Sequence, residues 1–157
     1  MPLTAAERAF AARGRVPLVV LLSALAGWWE DRHMELLAEA GFDDIRRAHN
    51  AVVVNLPATG RRLTELAEAA GMTKQAMAQL VDDLVATGYL ARRPDPDDRR
   101  AKLIVWADRG MAAHEQTLEI FAEIDKELTR LIGRQPMAQM KDALMRLFFA
   151  LVVAQEA

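Results

Sequence analysis

At 157 residues the chain has the length of one ordinary domain, or of one core with an appended helical bundle, and it can bury a substantial interior. A composition of 52% hydrophobic and 27% charged residues excludes a disordered chain, and an aromatic content of only 6% with abundant alanine favours helices over sheets. The absence of cysteine removes disulfides, thiolate nucleophiles, cysteine zinc sites and thiol redox sensing together; it fits a reducing cytoplasm, the expected location. With a net charge of −2, any nucleic-acid binding has to come from a local basic surface.

The first element is a helix over about 15–40, closed by Gly41. Its start, where Arg8, Arg13 and Arg15 precede the apolar run Val16 to Ala26, has the layout of a secretory signal. The run is too short to span a bilayer, which takes roughly 20 residues, so the reading taken is a buried helix of the fold, with no membrane partner. A second apolar stripe follows at Phe42, Ile45, His49, Val52, Val53 and Leu56, a spacing of three and four that predicts one helix, stopped by Pro57, Thr59 and Gly60. Residues 60–105 hold 8 basic and 7 acidic side chains and are the only third of the chain that is net positive.

That third carries the chemistry. Thr64 is placed to cap a short helix, Glu65 to Ala70, and Gly71 permits a sharp turn in which Met72 is a buried plug. Thr73 then caps a second helix, Lys74 to Thr87, which Gly88 ends. Two helices around a glycine-containing turn form a helix-turn-helix, whose second helix can enter a major groove. At about 100° per residue, Met77, Leu80, Val81 and Leu84 share the inner face of that helix, while Gln75, Ala78, Gln79 and Asp82 face outward. A Gln amide can pair bidentately with adenine, Ala can touch a thymine methyl, and Asp can accept from cytosine. Thr73 and Lys74 stand at the positive end of the helix, suited to phosphate. A solvated polar face explains the same residues equally well on this helix alone.

Next come two short strands, Tyr89 to Arg93 and Lys102 to Trp106, joined by the loop Pro94-Asp95-Pro96-Asp97-Asp98-Arg99-Arg100. Directly after a helix-turn-helix this is a wing, and its basic side chains, Arg92, Arg99, Arg100 and Lys102, are candidate DNA contacts. An arginine at the tip can enter a minor groove, where narrow width concentrates negative potential.

In order and spacing, the stretch from Leu63-Thr64-Glu65-Leu66-Ala67 through Gly71-Met72-Thr73-Lys74, Leu80-Val81-Asp82-Asp83-Leu84, Gly88-Tyr89-Leu90 and the wing to Gly110 resembles the MarR family of bacterial and archaeal regulators. The likeness includes the Asp-x-Arg signature of the wing at Asp98 and Arg100. It implies a dimer of winged helix-turn-helix domains, joined by their terminal helices, on a pseudo-palindromic operator, with Arg100 in the minor groove and Asp98 orienting the wing. Many such relatives are repressors released by a small ligand. One departure is visible: Trp106-Ala107 stands where the family usually has Leu-Thr, which shifts the expected cap of the next helix to Asp108.

In the last third, Leu118, Phe121, Ile124, Leu128 and Leu131 form a stripe on one helix ended by Gly133, and Met137, Met140, Leu144, Leu147, Phe148 and Leu151 form another after Pro136. Helices this apolar need a partner, and a two-fold homodimer would set its recognition helices about 34 Å apart.

No catalytic residue, metal site or cofactor is expected, because His33, His49 and His114 lie in separate predicted helices without metal-ligand spacing and no phosphate loop or nucleophile turn appears. Trp28, Trp29, His33 and His49 are candidate lining for a small-molecule effector cavity, although helix packing accounts for them as well. The expectation is thus a mainly α chain with a small β-wing. Residues 1–40 contribute to dimerisation, residues 41–107 form the winged helix-turn-helix, and residues 108–157 are C-terminal dimerisation helices. Its function is that of a homodimeric transcriptional regulator on double-stranded DNA. The alternative kept open is a winged-helix module using the same surface for protein contacts, a reading sustained by Asp82, Asp83 and the wing aspartates.

Overall fold

The computed structural model describes Arg8, residues 16–98 and residues 100–153, with only the backbone at 152 and 153. In chain order the elements are α1 (Leu18–Glu39), a 3-10 turn (Arg47–His49), α2 (Asn50–Val53), β1 (Arg61–Arg62), α3 (Leu63–Ala69), α4 (Lys74–Ala86), β2 (Leu90–Pro94), β3 (Lys102–Trp106), α5 (Asp108–Ile132) and α6 (Arg134–Val153). The chain divides into two compact units, one up to Ile120 and one from Phe121. The mainly helical class with a small sheet is as the sequence predicts.

The first unit is built around a three-stranded antiparallel sheet in the order β1-β3-β2. Arg61 pairs with Ile104 across β1 and β3, and Leu90 to Pro94 pair in register with Trp106 to Lys102. Helices α2, α3 and α4 close over this sheet with Val52, Leu66, Met77, Val81, Leu84, Tyr89 and Ile104 fully or almost fully buried. Met77, Val81 and Leu84 are at the spacing that the inner face of α4 required; Leu80 is half-buried against the same cluster. Met72 also packs against it, as the plug in the turn.

Several local expectations are corrected. The predicted helix over 42–56 exists only as the 3-10 turn and the short α2, although Phe42, Ile45, His49, Val52 and Leu56 all face the core or its edge. Arg46 is extended at φ −116° and ψ 154°, and Asp44 is held by side chains of distant elements, so tertiary contacts override the helical period here. Thr64 does not cap α3. Its helix begins at Leu63, after the unforeseen strand β1 has set Arg62 to φ −68° and ψ 148°, and Glu65 Oε2 instead accepts the Arg62 N–H at 3.3 Å. Nor is Asp108 the cap of α5; it is the first helical residue, Met111 donating to Ala107 O at 3.0 Å, and its carboxylate lies in the first turn, where the helix dipole favours it. Helix α6 begins before Pro136, not after it, because a proline in the first helical turn removes an N–H that has no partner there.

Helix α1 is not buried along its apolar start: Leu18, Val19, Leu21, Leu22 and Leu25 are exposed, and its buried residues are His33, Leu36 and Leu37. In the second unit Ile124 and Met137 are buried, Lys141 pairs with Asp125, and Leu131, Leu144, Leu147, Phe148, Phe149 and Leu151 are exposed. No helix among the described residues is long and apolar enough to cross a membrane.

Candidate nucleic-acid interface

Thr73 starts α4 as the sequence predicts. Its Oγ1 accepts the Ala76 N–H at 3.2 Å, so the hydroxyl serves the helix end, and Lys74 beside it is exposed. Gln75 and Gln79 are exposed one turn apart, with Ala78 half-exposed between them. The outward face of α4 therefore offers two primary amides with no charged residue between them. Asp82, the fourth predicted member, is not available in the expected way, because its carboxylate takes the Arg92 guanidinium. That contact also occupies Arg92, one of the predicted DNA-contacting arginines.

The wing is a tight structure. Asp98 Oδ1 accepts the Arg100 N–H at 3.0 Å and Asp98 O accepts the Ala101 N–H at 2.9 Å, while Asp95 donates its own N–H to Ala101 O at 3.2 Å. An Asp side chain accepting from the backbone two residues on is an Asx turn, and here it sets the direction in which the chain leaves Asp98 toward Arg100. Arg100 and Lys102 are exposed; Arg99 lies outside the described residues.

The loop is anchored by a pair that sequence reasoning missed. Asp95, only 4% exposed, accepts from Arg62 Nε and Nη2, both at 2.6 Å, and from the Asp97 N–H at 2.9 Å. The Asp97 N–H and the Arg62 guanidinium hold the Asp95 carboxyl below its ordinary range, and Asp95 in turn raises Arg62. An open cavity of about 490 Å³ lies beside this pair, lined by Thr59, Gly60, Glu65, Pro96 and Leu103 among others. The only forewarning was the mixture of aspartate and arginine in the loop; the partner, 33 residues away, depended on β1, which two arginines do not announce.

Behind α4 two polar clusters fasten the domain. Arg109 grips Asp44 through both guanidinium ends, at 2.8 and 3.0 Å, donates to Thr87 O at 2.8 Å and lies 4.4 Å over the Tyr89 ring, while the Tyr89 hydroxyl donates to the same carboxylate. Burial works to raise Asp44, but the hydrogen bonds from Tyr89 and Arg109 outweigh it and the carboxyl stays low; burial and Asp44 together push the Tyr89 phenol up. This cluster joins the start of α5 to the end of α4. In the second cluster Arg46 pairs with Asp83, and the Arg46 N–H donates to Nδ1 of the buried His49 at 3.1 Å.

The predicted effector residues are distributed differently. Trp29 and His33 lie side by side, ring centroids 5.4 Å apart, and His33 Nε2 is 3.5 Å from Thr117 Oγ1. Trp28 is half-buried on the same helix, whereas His49 belongs to the Arg46–Asp83 cluster. Among the described residues no group of three or more His, Asp or Glu is placed to hold a metal ion.

Burial lowers both His33 and His49 below their ordinary 6.5, aided at His49 by the Arg46 charge and opposed by Glu30 and Asp83 respectively. The unfolded chain then binds protons that the folded chain refuses, so their contribution to stability is complete above about pH 6.5 and is lost as pH falls. The thermal midpoint is expected to drop between about pH 7.5 and 5.5, before the low carboxylates Asp44 and Asp95 titrate. A midpoint that holds or rises over this interval would show that neither imidazole resists protonation in the fold.

Residues 51–101 match the model of the MarR family. No curated protein matches the sequence. Among solved structures, the chain is similar to the transcriptional regulator Tm0710 from Thermotoga maritima, with 25% identity and a TM-score of 0.69 over 87% of this chain and 95% of that one. It is also similar to wild-type apo MarR from E. coli, at 22% identity and a TM-score of 0.67 over 84% and 97% of the two chains. A MepR mutant from S. aureus bound to an oligodeoxyribonucleotide matches at 21% identity and a TM-score of 0.63 over 87% and 99%.

Proposed function

We propose that this chain, whose residues 51–101 match the model of the MarR family, is a sequence-specific regulator that binds a pseudo-palindromic operator as a homodimer and catalyses no reaction. The observation that carries this reading is the pairing of two surfaces. The capped helix α4 presents Gln75, Ala78 and Gln79 outward, and the wing beside it directs Arg100 through the Asp98 turn. The first surface reads base edges in a major groove and the second meets the adjacent minor groove, with Thr73, Lys74, Arg99 and Lys102 along the phosphates. The DNA complex of the similar MepR mutant supports the assignment of this fold to DNA.

In this reading residues 41–107 are the DNA-binding part. The exposed aliphatic residues of α1 and the exposed Leu144, Leu147, Phe148 and Leu151 of α6 are the dimer surfaces, as their apolar character requires cover. The dimer acts in the cytoplasm as a repressor, released by a small effector that meets Trp28, Trp29 and His33. Of the aspartates behind the protein-contact alternative, Asp82, Asp83 and Asp95 are engaged by Arg92, Arg46 and Arg62, while Asp97 and Asp98 of the wing stay exposed.

The test is binding to the chain's own upstream DNA and to random DNA over a salt series. Tight, salt-sensitive, selective binding is expected, since each neutralised phosphate releases counterions; weak binding equal on both DNAs would favour the protein-contact module. On the operator, Gln75→Ala and Gln79→Ala are expected to change which bases are preferred, read by competition with single-base operator variants. Equal weakening on every sequence would remove the two amides from base readout.

A further inference from the structure

The contact between Asp82 and Arg92 has a consequence for how strongly this surface holds DNA phosphate. Arg92 pairs with Ile104 across the sheet, so its side chain shares the face on which Ile104 is buried. That register puts the arginine on the core-facing side of the sheet, where its guanidinium reaches Asp82 of α4. Asp82 lies on the outward stripe of α4, seven residues after Gln75 and three after Gln79, with its side chain 62% exposed. The two meet at the seam between the recognition helix and the wing stem. An exposed pair of this kind adds little to folding. Its placement at the DNA-facing edge gives it another use.

We infer that Asp82 is a positioning residue for the strength of the phosphate grip: its carboxylate holds Arg92 on α4 and withholds that cation from DNA phosphate. The inference rests on the DNA-binding reading above. Non-specific affinity comes almost entirely from cations facing phosphate, whereas base contacts distinguish sequences. Neutralising one arginine therefore lowers binding to any duplex, while the Gln75 and Gln79 amides are left to distinguish sequences. Asp82 acts through Arg92 and does not itself need to touch a base, which replaces the cytosine-accepting role that its position on the helix first suggests.

The measurement is the salt dependence of binding to a random duplex and to the operator for the wild-type protein, Asp82→Asn, Arg92→Ala and the double variant. On random DNA, Asp82→Asn is expected to bind more tightly and with a salt slope steeper by about 0.9, the increment for one further phosphate contact on B-DNA. Its advantage over wild type should then shrink about 3.5-fold between roughly 50 and 200 mM salt. On the operator it should gain by a similar factor, as a phosphate contact does on any sequence. Arg92→Ala should keep the wild-type slope, and the double variant should return to it. Two outcomes overturn the inference while leaving the regulator intact: parallel slopes for wild type and Asp82→Asn, or a gain in Asp82→Asn that survives in the double variant, which would reflect loss of a negative charge alone. A wild-type protein without salt-sensitive DNA binding would instead sink the regulator reading, and this inference with it.

Discussion

Gly110→Ala is expected to destabilise the protein by about 3 kcal/mol, the upper part of the usual range for overpacking a filled interior. Gly110 is buried on the first turns of α5, and a methyl group there would stand 2.1 Å from Tyr89 O and 2.9 Å from Trp106 Cε3. Tyr89 O is backbone, already accepting the Ala107 N–H at 3.0 Å, and its residue is held by Asp44 and Arg109, so it has little freedom to retreat. For a chain of this length the loss corresponds to a fall in thermal midpoint of roughly 6–12 °C. Calorimetry decides the matter. A shift within about 1 °C would mean that α5 slides outward at its start and that its approach to the end of the recognition helix is not tightly packed.

Arg100→Ala is expected to reduce operator affinity by about 1–3 kcal/mol, roughly 5- to 150-fold, with no change in oligomeric state. Arg100 is exposed, and its backbone direction is set by the Asp98 turn, which is in turn tied down through Asp95 and Arg62. Asp98→Ala, which leaves the guanidinium in place, should show a smaller loss in the same direction. Unchanged operator binding by Arg100→Ala would move the minor-groove contact to another residue of the wing. An equal loss on operator and random DNA would reduce Arg100 to a phosphate contact.

The helix-turn-helix and wing are legible in the chain because their determinants are local. Thr73 caps α4, Met77, Val81 and Leu84 repeat at the helical period, and glycines at positive φ follow both helices, Gly71 at 62° and Gly88 at 81°. The strands around the wing are also legible to within one residue, since alternation and turn residues act over a few positions. What failed depended on distant elements, Tyr89 and Arg109 at Asp44 and β3 at β1. The stripe from Phe42 to Leu56 identified the buried side of the segment, but helical spacing alone could not exclude a broken helix. Thr64 looked like a cap only because β1, two residues long and made of arginines, carries no strand signature.

The sequence by itself determined helix α4, its outward amides and the order of helix, turn, helix and wing, because periodicity and capping act within a few residues of one another. Tertiary structure decided which charges are paired and which remain exposed. Arg92 and Asp82, Arg62 and Asp95, and Arg109 and Asp44 come from elements 10, 33 and 65 residues apart. A sequence read in order counts such side chains as independent charges. Only the sheet register and the close packing of α5 at Gly110 bring them within hydrogen-bonding distance, and that proximity converts part of the basic surface into structural clasps while leaving Lys74, Arg100 and Lys102 exposed.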